Sequence, residues 1–401
     1  MLEKKILIFL LTYAYAIGLL AQSFNTAQVD VLHYEVYVAP NLTQKNLKGN
    51  VLIKFKVPAN TDKVVFDSGK LTVTRLEGKH TKGFKQTKNK VVISLASSDT
   101  TTYEIRLFYK GAPKRGLVFL NAPQQLYTVY FTSEWMICNA APADRATLKL
   151  EVLVPNQFIS TASGVLEDTI QRKDKMTLYA WCQDYETPAY TYGFAIGRFN
   201  EFQQQYQGIH LKYYAKQHTP TEIEQIFQYT ADMLSFFEEK SGIPFPQSTY
   251  SQILMGNHYQ EMSGFSILKQ SYGKLILNDS TETNLIAHEL AHQWWGNMIT
   301  CKNWNHFWLN EGFATFLSAA YNEHRFGKEK YQQDIAAYFG VFDKIRANGN
   351  DKPLVFKDWS NPTRADRNLV YFKGAYVLHL LKEELGDESF WMGIRQKERN
   401  N

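Results

Sequence analysis

From Val31 to about Phe199 the chain alternates apolar and polar residues with a period of two. Tyr34, Val36 and Val38 form one run and Val51, Ile53, Phe55 and Val57 another. Tyr103, Ile105, Leu107 and Tyr109 repeat the pattern, as do Leu148, Leu150, Val152 and Val154. Successive side chains of a strand point to opposite faces, so each run predicts a strand with one buried face. Pro40-Asn41 and Gly111-Ala112-Pro113 supply turns between them. The series predicts an antiparallel β domain over residues 22–200, closed by a strand in Pro188 to Gly197.

Near Asn200 the period changes. One further strand is predicted over Ile209 to Tyr214. Thr219-Pro220-Thr221-Glu222 then reads as a helix start, with Thr219 as cap and Pro220 at the first position. Ile226, Tyr229, Met233, Phe236 and Phe237 give an apolar stripe that predicts one helix to about Lys240. Strands are expected at Tyr250 to Leu254 and Met262 to Leu268. A helix follows over His288 to Asn297, with candidate caps in Asn278 to Thr283 and an end at Gly296 and Asn297. Another runs from Glu311 to Phe326, stopped by Gly327, and a last region continues from Tyr371 towards Leu385. The fold class is multidomain α+β: the N-terminal β domain, then a mostly helical domain with a small sheet over 201–401.

Length and charge add bounds. The 401 residues suit two or three domains, and a net charge of +5 is mild. Lys82, Lys85, Lys88 and Lys90 read as the solvated face of a hairpin, so no nucleic-acid partner is expected. Lys4 and Lys5, an apolar run from Ile6 to Leu20 and small residues at Ala14, Ala16 and Ala21 read as a signal peptide over 1–21. That implies a secreted or periplasmic protein with no membrane span after the leader is removed. Of three cysteines, Cys138 and Cys182 fall in one predicted domain and are open to pairing.

The chemistry concentrates in His288-Glu289-Leu290-Ala291-His292. Helical spacing puts two imidazoles on one face, suited to two corners of a zinc tetrahedron, with Glu289 beside the open position. Glu311 lies beyond an eighteen-residue gap, positions 293–310, in the apolar run Trp308-Leu309-Asn310-Glu311-Gly312-Phe313-Ala314. A carboxylate there completes a His/His/Glu set for one Zn²⁺ per chain.

These motifs resemble the gluzincin aminopeptidases of peptidase family M1. The resemblance implies a thermolysin-like catalytic domain behind the β domain. It also implies a substrate-binding role for Glu261, in His258-Tyr259-Gln260-Glu261-Met262-Ser263-Gly264, as acceptor of a peptide's free α-ammonium. His258, Gln260 and Met262 depart from the family's Gly, Met and Asn there. Tyr371, in Tyr371-Phe372-Lys373-Gly374-Ala375, is implied to hydrogen-bond the oxyanion. By their residues alone, Glu261 reads as a surface acid and Tyr371 as a core or surface aromatic. The family's acidic residue seven positions after the third ligand is Ser318 here, and its entrance glutamine has no assigned counterpart near Thr132, Ser133 and Glu134. The large helical domain that usually caps the cleft is not expected within these residues. The implied activity is removal of the N-terminal residue from peptides, with Glu289 as general base towards a zinc-activated water. A zinc endopeptidase with an open cleft and an inactive peptide-binding module are the alternatives.

Overall fold

A computed structural model describes residues 29–96, 101–356 and 362–399 of the protein. The leader expected over residues 1–21 lies outside them.

The alternating runs form strands whose inward positions are fully buried, among them Val51, Ile53, Phe55, Ile105 and Leu107. Phe55 meets Phe66 edge-on at 5.4 Å and stacks on Tyr103 at 5.6 Å. A seven-stranded sheet has the order Val165–Gln171, Met176–Pro188, Arg145–Pro155, Asp30–Asn41, Asn46–Lys56, Thr102–Gly111, Thr72–Glu77. It departs from the antiparallel expectation at its centre, where Asp30–Asn41 and Arg145–Pro155 pair in parallel. More than a hundred residues separate these strands in sequence, so no hairpin constrains their direction. Thr81–Gln86 and Lys90–Leu95 form an antiparallel hairpin in a three-stranded sheet and carry the expected lysine run.

A third, four-stranded sheet faces the rest of the chain. Its Tyr127 and Ala195, with nearby Val129, share an apolar cluster with Tyr214, Ile253, Met255, Met262, Phe265 and Ile267. These last residues belong mainly to a mixed five-stranded sheet of order Asn200–Tyr206, Ile209–Ala215, Thr249–Leu254, Phe265–Leu268, Gln260–Met262. The expected single strand from Met262 to Leu268 is therefore a hairpin. Gly264, at φ 82°, makes the turn.

Nine α-helices lie among the described residues after Ala215: α1 (Pro220–Ile226), α2 (Thr230–Ser241), α3 (Tyr272–Asn278), α4 (Asn284–Ala291), α5 (Trp308–Phe326), α6 (Lys328–Ala347), α7 (Arg364–Asn368), α8 (Gly374–Leu385) and α9 (Asp387–Arg399). Thr219 caps α1 in a reciprocal box with Glu222. The single helix expected to Lys240 is broken at Phe227. Phe227 leaves helical geometry and stacks on Tyr213 at 4.9 Å, and Thr230 begins α2 with its hydroxyl donating to buried Gln252. Tertiary packing here overrides an uninterrupted apolar stripe. Cys138, Cys182 and Cys301 are all free, so the possible Cys138–Cys182 bridge does not form.

Candidate active site

Helix α4 is short, and its end matters. The expected continuation to Asn297 stops at Ala291, with His292 as the C-cap residue. The His292 N–H still bonds the His288 carbonyl at 3.2 Å, so both imidazoles keep helical spacing. None of the expected side-chain caps acts at its start, because the Thr283 hydroxyl donates instead to Asn322 at 2.7 Å. Trp294 and Trp295 fix the segment that follows. Trp294 packs on Phe237 and Phe245 and donates to the Ile243 carbonyl at 2.9 Å; Trp295 stacks on Phe313.

Helix α5 brings Glu311 against this pair. The His288 and His292 Nε2 atoms are 3.0 Å apart, and Glu311 Oε2 lies 3.3 and 3.4 Å from them. His292 Nδ1 faces the Trp295 carbonyl at 2.9 Å, which fixes a proton on Nδ1 and leaves Nε2 to face the other donors. His288 Nδ1 faces the Thr315 hydroxyl at 3.4 Å, while that hydroxyl donates to the Glu311 carbonyl at 2.7 Å. The hydroxyl is thus an acceptor towards His288, whose Nε2 is likewise left to face the other donors.

Two imidazole Nε2 atoms and a carboxylate oxygen therefore converge while both ring Nδ1 atoms are engaged elsewhere, and Glu311 Oε2 is buried without a hydrogen-bond partner. Such a convergence requires a cation. Tetrahedral zinc with bonds of about 2.0–2.1 Å places its ligand atoms roughly 3.3 Å apart, close to the spacings seen. The three residues fit the metal. Their titration agrees. Burial alone would raise Glu311 and lower His292, but mutual attraction reverses both, holding Glu311 down at about 2 and His292 up at about 10. A metal at this point replaces the proton as the shared charge.

A cavity of about 690 Å³ opens over the triad, and the other site residues share it. Glu289 turns into it with Oε2 buried and unpartnered. Burial, and then the Glu261 carboxylate, push Glu289 well above the usual carboxylate range. Glu261 stands on the edge strand Gln260–Met262, where alternation aims it into the cavity beside Tyr259. Burial raises it to about 7, with Glu311 adding to the shift and His292 opposing it. Tyr371 lies on a π turn, Leu369–Lys373, and its ring stacks on His288 at 5.8 Å. Burial keeps its hydroxyl protonated and able to donate.

A family model described as the peptidase family M1 domain matches residues 225–397, and one described as the peptidase M1 N-terminal domain matches residues 31–191. The chain belongs to peptidase family M1. Similar curated proteins include endoplasmic reticulum aminopeptidase 2 of Homo sapiens, 24% identical over 91% of this chain and 42% of the relative. Probable aminopeptidase 2 of Sulfurisphaera tokodaii is 25% identical over 92% of this chain and 49% of the relative. The chain thus spans half or less of the length of these relatives. A crystal structure of a two-domain M1 zinc metallopeptidase variant bound to L-tryptophan is similar with a TM-score of 0.79. The match is 22% identical and covers 94% of this chain and 88% of that one, a likeness of fold.

Within this M1 chain, several residues that position the site escaped the motifs. Gln293 accepts from the Gly264 N–H and donates to the Met262 carbonyl, both at 3.0 Å, so the ligand segment grips the strand bearing Glu261. A side chain at Gly296 would meet His292 Nδ1 at 2.9 Å, which reserves that place for glycine. Gly312 and Gly374 touch backbone to backbone; a Cβ on either would meet the other's Cα at 3.0 Å. This contact lets α8 close on α5 and seats Tyr371 near Glu311. Lys373 ties the π turn to Asp351 at 2.7 Å and to the Lys352 carbonyl at 2.8 Å. Ser318, where the family resemblance implies an acid, donates to the Thr315 carbonyl at 2.8 Å. Near the unassigned entrance position, Tyr130 and Phe131 line the cavity, and Tyr130 holds a left-handed φ of 56°.

Proposed function

We propose that this chain is a zinc-dependent aminopeptidase that removes the N-terminal residue from peptides. The observation that carries this reading is the Glu261 carboxylate in the same cavity as the His288, His292 and Glu311 donors and the unpartnered Glu289. A carboxylate set beside a metal site pairs with a peptide's ammonium and fixes which bond reaches the reacting centre. Cutting at the first bond follows from that fixed distance.

His288, His292 and Glu311 hold the Zn²⁺. When bound, the metal polarises the scissile carbonyl and makes a water acidic enough to react near neutral pH. Glu289, with its raised affinity for a proton, takes one from the attacking water and returns it to the leaving amine. Tyr371 donates its O–H to the oxygen that gains charge. Glu261 accepts hydrogen bonds from the substrate's ammonium and orients the chain throughout.

The domain division near residue 200 and the leader over 1–21 complete the proposal, with a secreted or periplasmic location. The change from alternating strands to helical stripes near Asn200 supports the first. The basic, apolar and small-residue order of the first 21 positions supports the second.

A panel of aminoacyl amides and matching N-acetyl peptides, assayed with and without a chelator, tests the activity. Turnover restricted to free amines, lost with the chelator and restored by zinc, is expected. Internal cleavage of blocked peptides would instead identify an endopeptidase, and absence of turnover on every substrate a binding module.

A further inference from the structure

One buried polar side chain beside the site is not used by the mechanism above. Gln260 is 1% exposed on the edge strand and does not line the cavity, yet both ends of its amide are engaged. Its Oε1 accepts from the Tyr130 backbone N–H at 2.8 Å. Its Nε2 donates to Glu261 Oε2 at 2.8 Å. A backbone N–H can only donate, so the amide orientation is fixed and its nitrogen must serve the carboxylate.

Tyr130 is itself unusual. A non-glycine residue at φ 56° is strained. The hydrogen bond from its N–H to Gln260 holds it there. Its ring packs edge-on against His258 at 6.1 Å and Phe131 at 6.3 Å. His258 is anchored in turn by the buried Tyr127 hydroxyl at 2.6 Å. The result is an aromatic wall on the cavity next to the carboxylate that receives the substrate's amine.

We infer that Gln260 is a positioning residue that couples the N-terminal anchor Glu261 to the Tyr130 wall, so that a peptide with a large aromatic or apolar first side chain is selected. This deepens the aminopeptidase reading and rests on it. One Glu261 oxygen is held by the amide and the other is left for the ammonium. The first side chain leaves the same α-carbon as that ammonium, so it falls against a wall fixed to the same glutamine.

The test compares phenylalanyl and alanyl amides with zinc-loaded wild type, Gln260→Met, Gln260→Glu, Tyr130→Ala and the double variant Gln260→Met/Tyr130→Ala. Wild type is expected to favour the phenylalanyl amide by about tenfold or more in kcat/KM. Gln260→Met should raise KM about fivefold for the alanyl amide and about fiftyfold for the phenylalanyl amide, which removes most of the preference, with kcat nearly unchanged and one zinc still bound. Tyr130→Ala should remove the preference alone, and the double variant should lose no more of it than either single one. Gln260→Glu keeps an acceptor for the Tyr130 N–H but loses the donor to Glu261. It should keep the preference while raising KM for both amides, a split that general loss of structure does not produce. A folded Gln260→Met enzyme with unchanged KM values and preference overturns the inference, as does additive loss of preference in the double variant. A wild type inactive on both amides overturns the aminopeptidase reading itself, and the inference with it.

Discussion

Glu289 is a buried acid and Asp144 a half-buried one, and their surroundings give them different work. Glu289 has an unpartnered oxygen in the cavity beside the metal donors. Changing Glu289→Gln keeps its size and removes its basicity, so kcat should fall by about a thousandfold, within the range general bases contribute. Zinc content, measured by metal analysis, should stay at one per chain. Asp144 accepts from the Val31 N–H at 3.0 Å through one oxygen and buries the other without a partner. Burial raises its pKa to about 7, and Asp30 adds to the shift. The folded state therefore keeps a proton that the unfolded chain gives up from about pH 4. Stability contributed below that pH is lost as pH rises through 7. Asp144→Asn should flatten the decline in denaturation midpoint between pH 4 and 7, and an unchanged slope would count against this assignment. At this scale the His288, His292 and Glu311 group that could hold a metal was legible because the His-Glu-x-x-His spacing is local and its chemistry has few alternatives. Gln260, Gln293 and Thr315 were not. A glutamine or threonine has many possible partners, and these lie 27 to 130 residues away in sequence.

Among the elements, α5, α8 and the π turn matter most to the site. Gly312 and Gly374 appear in the sequence as motif letters, yet each is a contact of one helix with the other. Gly374→Ala gains about 1 kcal/mol of helix propensity but forces a Cβ into a 3.0 Å contact with Gly312 Cα. Overpacking of this kind costs about 1–3 kcal/mol. The melting temperature should drop only slightly, while kcat falls by about tenfold or more because Tyr371 moves from its place. Equal losses in both would mean that the contact serves stability alone. The long alternating strands and the Thr219 cap were legible because each is set by neighbours in sequence. The break at Phe227 and the early end of α4 were not, since Tyr213 and the tryptophan packing impose them from outside.

Across the whole molecule, the β-rich part supports the chemistry directly. Tyr190 donates to the Gly296 carbonyl at 2.5 Å and accepts from Asn310 at 2.9 Å, bridging the segments after His292 and before Glu311. Tyr190→Phe leaves both groups without this partner and should weaken zinc binding by about tenfold, as loss of a ligand-supporting contact does; chelator competition measures it. The domain order was legible from the change of period near Asn200. The parallel pair at the centre of the large sheet was not, because alternation marks a strand without giving its direction. In the proposed activity the metal and the substrate's amine act together on one bond. This is tested most directly by the rate on a phenylalanyl amide against its N-acetyl form, before and after zinc is stripped and restored. Turnover of the free amine alone is expected, abolished by stripping and recovered with zinc. Equal turnover of the acetylated form, or activity that survives complete removal of zinc, would contradict it.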